Sequence, residues 1–131
     1  MVGFGGERGV IAHLDLPRTH RVGKYGVDVA IIDRLAVETL RPYDKHDVYL
    51  VDEIGKMECL SARFVEAMGV LMDTGRFMVA TIARKGGGFI AEVKARPDVV
   101  LWEVTRANRD TMPERVVARL STSPQDDTTH C

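Results

Sequence analysis

The stretch Val48-Tyr49-Leu50-Val51-Asp52-Glu53 decides the fold. Four successive apolar residues break off at two acids, a run too short for a typical helix and without the alternation of a strand that has one wet face. Such a run suits a parallel strand covered on both faces, and parallel strands need crossover connections, usually helices. The flanking sequence supplies them. On the amino side, Asp28 can cap a helix whose apolar residues Val29, Ile32, Leu35, Ala36 and Leu40 recur at helical spacing and stop before Pro42. On the carboxyl side, Ser61 can cap a second helix with an inward stripe of Phe64, Val65, Met68, Leu71 and Met72, and Gly75 as its stop.

Beyond that helix the alternation continues. Residues 77–82 read as the next strand, and Gly86-Gly87-Gly88 leads into a short helix through Phe89, Ile90 and Val93. Residues 99–104 read as a third strand with Trp102 in the core, and residues 112–120 as a last helix. Strand alternating with helix is the α/β signature, so the expected fold is a mostly parallel sheet with helices on both faces. Before Asp28, the apolar piece Val2 to Phe4 and the run Arg8 to Leu16 flank Gly5-Gly6-Glu7, which predicts a β-hairpin. Residues 22–27, with Gly23 and Gly26, read as a tightly bent loop, a plain turn in preference to a substrate contact.

The chain has 131 residues, 45% of them hydrophobic, which is enough for one domain with a real core over residues 1–120. The remaining 121–131, STSPQDDTTHC, are polar and rich in turn formers and are expected to stay disordered. Lys and Arg total 18 against 19 Asp and Glu, a net charge of -1 that offers no attractive field to nucleic acid or anionic lipid. No run approaches the roughly 20 apolar residues of a membrane span. Two scattered cysteines, Cys59 and Cys131, and an opening MVGFGGERGV without signal-peptide layout point to the cytoplasm.

Ligands of open α/β sheets collect outside the carboxyl ends of the strands, which is where Asp52, Glu53, Ile54, Gly55, Lys56, Met57 and Glu58 fall. An apolar run ending in Asp-Glu is the Walker B layout. The first carboxylate holds Mg²⁺, usually through water, and the second orients or deprotonates an attacking water. Because successive strand residues point to opposite faces, the two carboxylates are expected to diverge. The plain alternative is that two acids merely open a solvated loop, with Lys56 a surface lysine.

Other chemistry-bearing residues read as structural. His13, His20, His46 and His130 do not occur at zinc-site spacing, the nearest approach being Asp44, His46 and Asp47 and the terminal His130-Cys131. Cys59 follows Glu58, whose charge would raise a thiol pKa and leave the thiol inert. Met57, Met68, Met72 and Met78 fit core filling.

The longer string VYLVDEIGKMECLSARF resembles the signature of the P-loop nucleoside-triphosphatase family that includes the cancer-related nucleoside-triphosphatase. Three further segments are similar to that family in the same order: residues 22–29 (VGKYGVDV), 79–82 (VATI) and 103–110 (EVTRANRD). The resemblance implies a P-loop α/β fold and slow Mg²⁺-dependent hydrolysis of ATP, GTP and related nucleotides to diphosphate and phosphate. It implies Asp52 as the magnesium-side carboxylate and Glu53 as the catalytic base. It also implies a nucleotide site formed with Ile54, Gly55 and Lys56, and a base contact from Asn108 and Arg109. Asn-Arg is also ordinary helix-entry chemistry.

Family members open with a strand, a G-x-x-x-x-G-K-[ST] loop and a helix before reaching the hairpin with which this chain begins. Gly3-Phe4-Gly5-Gly6 lacks the closing Lys-Ser or Lys-Thr, and Lys85-Gly86-Gly87-Gly88 has its lysine before the glycines. That loop supplies the N–H cradle, the phosphate lysine and the hydroxyl on Mg²⁺. The expectation is therefore an amino-terminally shortened family member, as from a misplaced start codon. It should have little activity alone and an uncovered sheet edge and apolar face, and a second chain carrying the missing segment is one remedy. The alternative is a degenerate, non-hydrolysing α/β module that binds a partner.

Overall fold

In the computed structural model, residues 12–13, 21–22, 25–42 and 48–122 are described. The expected strand Val2–Phe4, the glycines after it, the Asp44-His46-Asp47 cluster and the tail beyond Thr122 lie outside them. Asp28 caps as its sequence position requires: its Oδ1 accepts the N–H of Ile31 at 3.3 Å and opens α1 (Val29–Thr39), which buries Ile32, Leu35 and Ala36. Ser61 does the same for α2 (Ala62–Asp73), accepting the N–H of Phe64 at 3.0 Å. Gly75 ends that helix with φ +71, a conformation that L side chains rarely adopt.

Between these helices runs β4 (Tyr49–Ile54), paired in parallel with β5 (Met78–Ile82). A parallel pair joined through α2 is one βαβ unit, so the α/β class is as expected. α3 (Gly88–Ala95) follows β5 and buries Ile90 and Val93, and α4 (Met112–Thr122) closes the described chain, two residues into the segment expected to be disordered. The core gathers Val27, Ile32, Ala36, Tyr49, Ile54, Phe64, Met68, Leu71, Met78, Ile90 and Val93, with Met57, Cys59 and Met72 packed against it. The methionines thus fill space, as their positions among apolar stripes predicted. No helix of the described residues is long and apolar enough to cross a membrane.

Four expectations need correction. Of residues 22–27, Val22 and 25–27 are strand and 23–24 lie outside the described residues: β1 (Ala12–His13) and β2 (Arg21–Val22) both pair antiparallel with β3 (Tyr25–Val27). Tyr25 and Val27 favour pleated backbone, and the hairpin partner outweighs the loop tendency of Gly26. Second, β4 extends through Asp52 and Glu53 to Ile54, because Ala83 N–H donates to Ile54 O at 3.0 Å and keeps the pairing alive beyond the acids. Third, β4 is not covered on both faces, since Leu50 is 59% exposed. Fourth, residues 99–104 form no strand, having no strand paired with them among the described residues, and Val100, Leu101 and Val104 stand exposed. Trp102 is accordingly not core; Arg115 lies over its ring, 4.2 Å from the centroid.

Candidate functional site

The register of β4 on β5 is regular from Tyr49↔Met78 to Val51↔Ala80, then slips before Ile54↔Ile82. Asp52 and Glu53 occupy the slip, at the carboxyl end of both strands, joined by a cis peptide bond. Both side chains are exposed. Asp52 reaches across to the neighbouring strand, where its Oδ1 accepts a hydrogen bond from Thr81 Oγ1 at 2.6 Å. Glu53 turns back over the loop: a Cβ at Gly55 would meet Glu53 Oε1 and Glu58 Oε2, each at 2.8 Å. Asp52 thus hydrogen-bonds to the neighbouring strand, while a Glu53 oxygen lies beside Gly55.

What holds this loop is buried. Ile54 is 1% exposed and anchors the strand end in the core. Gly55 O accepts the N–H of Cys59 at 3.0 Å, and Glu58 O accepts the N–H of Ser61 at 3.0 Å, closing a short 3₁₀ turn over Glu58–Leu60. Ser61, fully buried, accepts from Phe64 and donates to Asp33 Oδ1 on α1, so one hydroxyl ties α1 to the start of α2. Lys56 remains exposed beside the acids.

The electrostatics follow from this arrangement. Burial pushes the Glu58 carboxyl above its ordinary range, hydrogen bonding from its own N–H and that of Gly55 opposes the shift, and the charges of Glu53 and Asp52 add to it. Burial likewise raises the Cys59 thiol, and the charge of Glu58 raises it further, so Cys59 is a poor nucleophile as its neighbour implied.

Asn108 uses its side chain within its own loop. Its Oδ1 accepts Thr105 N–H at 2.7 Å and its Nδ2 donates to Glu103 O at 2.9 Å. Arg109 is exposed, with its Nε 3.8 Å from Asp110 Oδ1. A 3.6 Å pair between Arg84 and Glu103 brings this turn beside the loop leaving β5, at the end of the sheet that carries Asp52.

Two residues of the site were given no catalytic or binding role from the sequence. Thr81 is a lone hydroxyl in an apolar strand, a visible signal once β5 is paired with β4. Glu58 has no comparable mark, since its approach to Glu53 depends on the turn at Gly55.

The donor set suits a hard divalent cation. Mg²⁺ is bound through one or two carboxylates, with waters and substrate phosphates completing its shell. Asp52 offers an exposed carboxylate, one oxygen of which is oriented by Thr81, with Glu53 next to it. Among the described residues no group of three or more His, Cys, Asp or Glu could form an all-protein cage.

Known proteins carry the same organisation. The chain is 36% identical over 121 residues to the nucleoside-triphosphatase THEP1 of Thermotoga maritima, covering 92% of this chain and 70% of the relative. It is 31% identical over 137 residues to the human cancer-related nucleoside-triphosphatase, covering 94% and 72% of the two. Among solved structures, THEP1 from the hyperthermophile Aquifex aeolicus matches with a TM-score of 0.83 and 31% identity over 91% of this chain and 74% of that one. Since a family model described as NTPase matches residues 2–117, nearly all of the α/β unit and its acidic strand end, the chain belongs to the nucleoside-triphosphatase family of P-loop enzymes.

Proposed function

We propose that this chain carries the magnesium-side and base-side half of a nucleoside-triphosphatase site, hydrolysing ATP, GTP and related nucleotides to diphosphate and phosphate. The observation that carries the reading is the Asp52-Glu53 pair at the carboxyl end of β4, with Asp52 held by Thr81 and Glu53 turned over Gly55. Asp52 would hold Mg²⁺ through water, and the ion would supply neutralising charge at the phosphates. Glu53 would take the proton of a water whose oxygen attacks the γ-phosphorus while the bond to the β–γ bridging oxygen breaks and the diphosphate leaves. Ile54 fixes the strand end, and Gly55 and Lys56 line the approach to the phosphates. Asn108 shapes the turn that would meet the base, with Arg109 beside it. A free, half-buried Cys59 suits the reducing cytoplasm in which nucleoside triphosphates are held.

No G-x-x-x-x-G-K-[ST] occurs in the 131 residues. We therefore place the phosphate loop outside them, in the same polypeptide or in another. The test is phosphate release from ATP and GTP by this chain mixed with the amino-terminal strand, loop and helix of a family member. Turnover with Mg²⁺ that stops with EDTA is expected; metal-independent turnover, or none, contradicts the reading.

A second reading has its own support in Leu50, Val100, Leu101 and Val104, between 38% and 59% exposed, which suit a module that binds a partner without hydrolysis. In the same mixture it predicts a stable complex with no phosphate release.

A further inference from the structure

Glu58 lies five residues beyond Glu53, yet the chain brings their carboxylates to the same side of Gly55. A Cβ there would sit 2.8 Å from an oxygen of each, so the two oxygens are at most twice that distance apart, and any side chain at 55 would push at least one carboxylate aside. Glu58 is the better fixed of the two. Its backbone begins the 3₁₀ turn Glu58–Leu60, its carbonyl accepts the N–H of the fully buried Ser61 at 3.0 Å, and its side chain is half-buried. Glu53, by contrast, is exposed at the strand end.

From this geometry we infer that Glu58 is a positioning residue for Glu53. It fixes the bend at Gly55 and bars one side of it, so that the Glu53 carboxylate is held toward the strand end where Asp52 stands. The inference rests on the proposed hydrolytic role of Glu53 and adds to it a residue that touches neither metal nor nucleotide. A misplacement of a reacting group by about 1 Å can cost up to about a hundredfold in rate, so a support of this kind should show in kcat.

Two measurements test it. In the isolated chain, ¹H–¹⁵N spectra should show the Gly55 amide shifting and exchanging faster in Glu58→Ala, while Glu58→Gln, which keeps an acceptor oxygen, stays near wild type. In the chain combined with a family member's phosphate-loop segment, Glu58→Ala should lower kcat about tenfold with KM within about twofold, and Glu58→Gln should restore kcat to within about threefold. Thermal unfolding of each variant separates this from a fold defect, which would lower the active fraction without a rescue specific to Gln. An unmoved Gly55 amide in Glu58→Ala overturns the inference. So does an unchanged kcat in Glu58→Ala where Glu53→Gln abolishes turnover. If the wild-type combination is inactive, or Glu53→Gln is as active as wild type, the hydrolytic reading fails and the catalytic inference fails with it.

Discussion

Thr81 Oγ1 donates a 2.6 Å hydrogen bond to Asp52 Oδ1, linking the two parallel strands at the point where their register slips. The bond orients the carboxylate assigned to Mg²⁺ and leaves its other oxygen free of Thr81. Thr81→Val keeps the shape and removes the donor. With both residues exposed, the change should move stability by no more than about 0.5 kcal/mol. It should weaken the Mg²⁺ requirement curve of the phosphate-loop-complemented chain by about tenfold, the lower end of what outer partners of metal ligands contribute. A Mg²⁺ titration of phosphate release checks this; an unchanged midpoint means that Thr81 does not support the metal side.

Ser61 is fully buried and uses its hydroxyl twice, accepting from Phe64 N–H and donating to Asp33. Ser61→Ala removes a helix cap and leaves the Asp33 carboxylate short of a donor, for a total cost of about 2 kcal/mol. Urea unfolding of the isolated chain measures it, and a loss under about 0.5 kcal/mol would show that the α1–α2 tie is dispensable.

The raised Glu58 carboxyl makes a signed prediction about pH. Burial is the main cause, and the folded pKa lies above the ordinary 4.5. A raised acid binds its proton more tightly folded than unfolded, so its stabilising contribution is full below 4.5 and is lost as pH rises through the folded value. Ionised Glu58 therefore costs stability at neutral pH, and Glu58→Gln removes that cost. Thermal melts should place Glu58→Gln above wild type near pH 7, with the gap closing by about pH 4. A variant that melts lower at pH 7 and equal at pH 4 reverses the sign and contradicts the burial account.

Leu101 and Val104 are 49% and 59% exposed in a segment without a strand partner among the described residues. Exposed apolar residues on unpaired backbone favour self-association. Leu101→Ser with Val104→Ser should lower aggregation of the isolated chain in light scattering while leaving its melting temperature within about 2 °C. If the segment is covered in the active form, the same pair should weaken binding of the complementing segment.

Local signals carried most of the fold. Asp28, Ser61 and Gly75 mark helix ends by chemistry confined to one turn, and each does so in the structure. The stripe Phe64, Met68 and Leu71 is buried because helical spacing alone determines which face it shares. Residues 99–104 failed because a strand is completed by a neighbour, and β-forming residues cannot supply one. Val22 and residues 25–27 failed in the opposite direction, as strand pairing overrode the loop tendency of Gly26. The placement of Asp52 and Glu53 at the carboxyl end of a parallel strand was legible from an apolar run that stops at two acids. The contacts of Thr81 and Glu58 were not, because they arise from strand register and from the bend at Gly55.

The most direct measurement is phosphate release from Mg-ATP by the isolated 131-residue chain, set against its Glu53→Gln variant. The proposed chemistry belongs to Asp52 and Glu53, and the proposed phosphate cradle to residues outside these 131. The two proteins should therefore release phosphate at the same background rate, and only the complemented wild-type chain should exceed it, by about a hundredfold or more over complemented Glu53→Gln. Robust turnover by the isolated wild-type chain that is lost in Glu53→Gln would contradict the need for the phosphate loop.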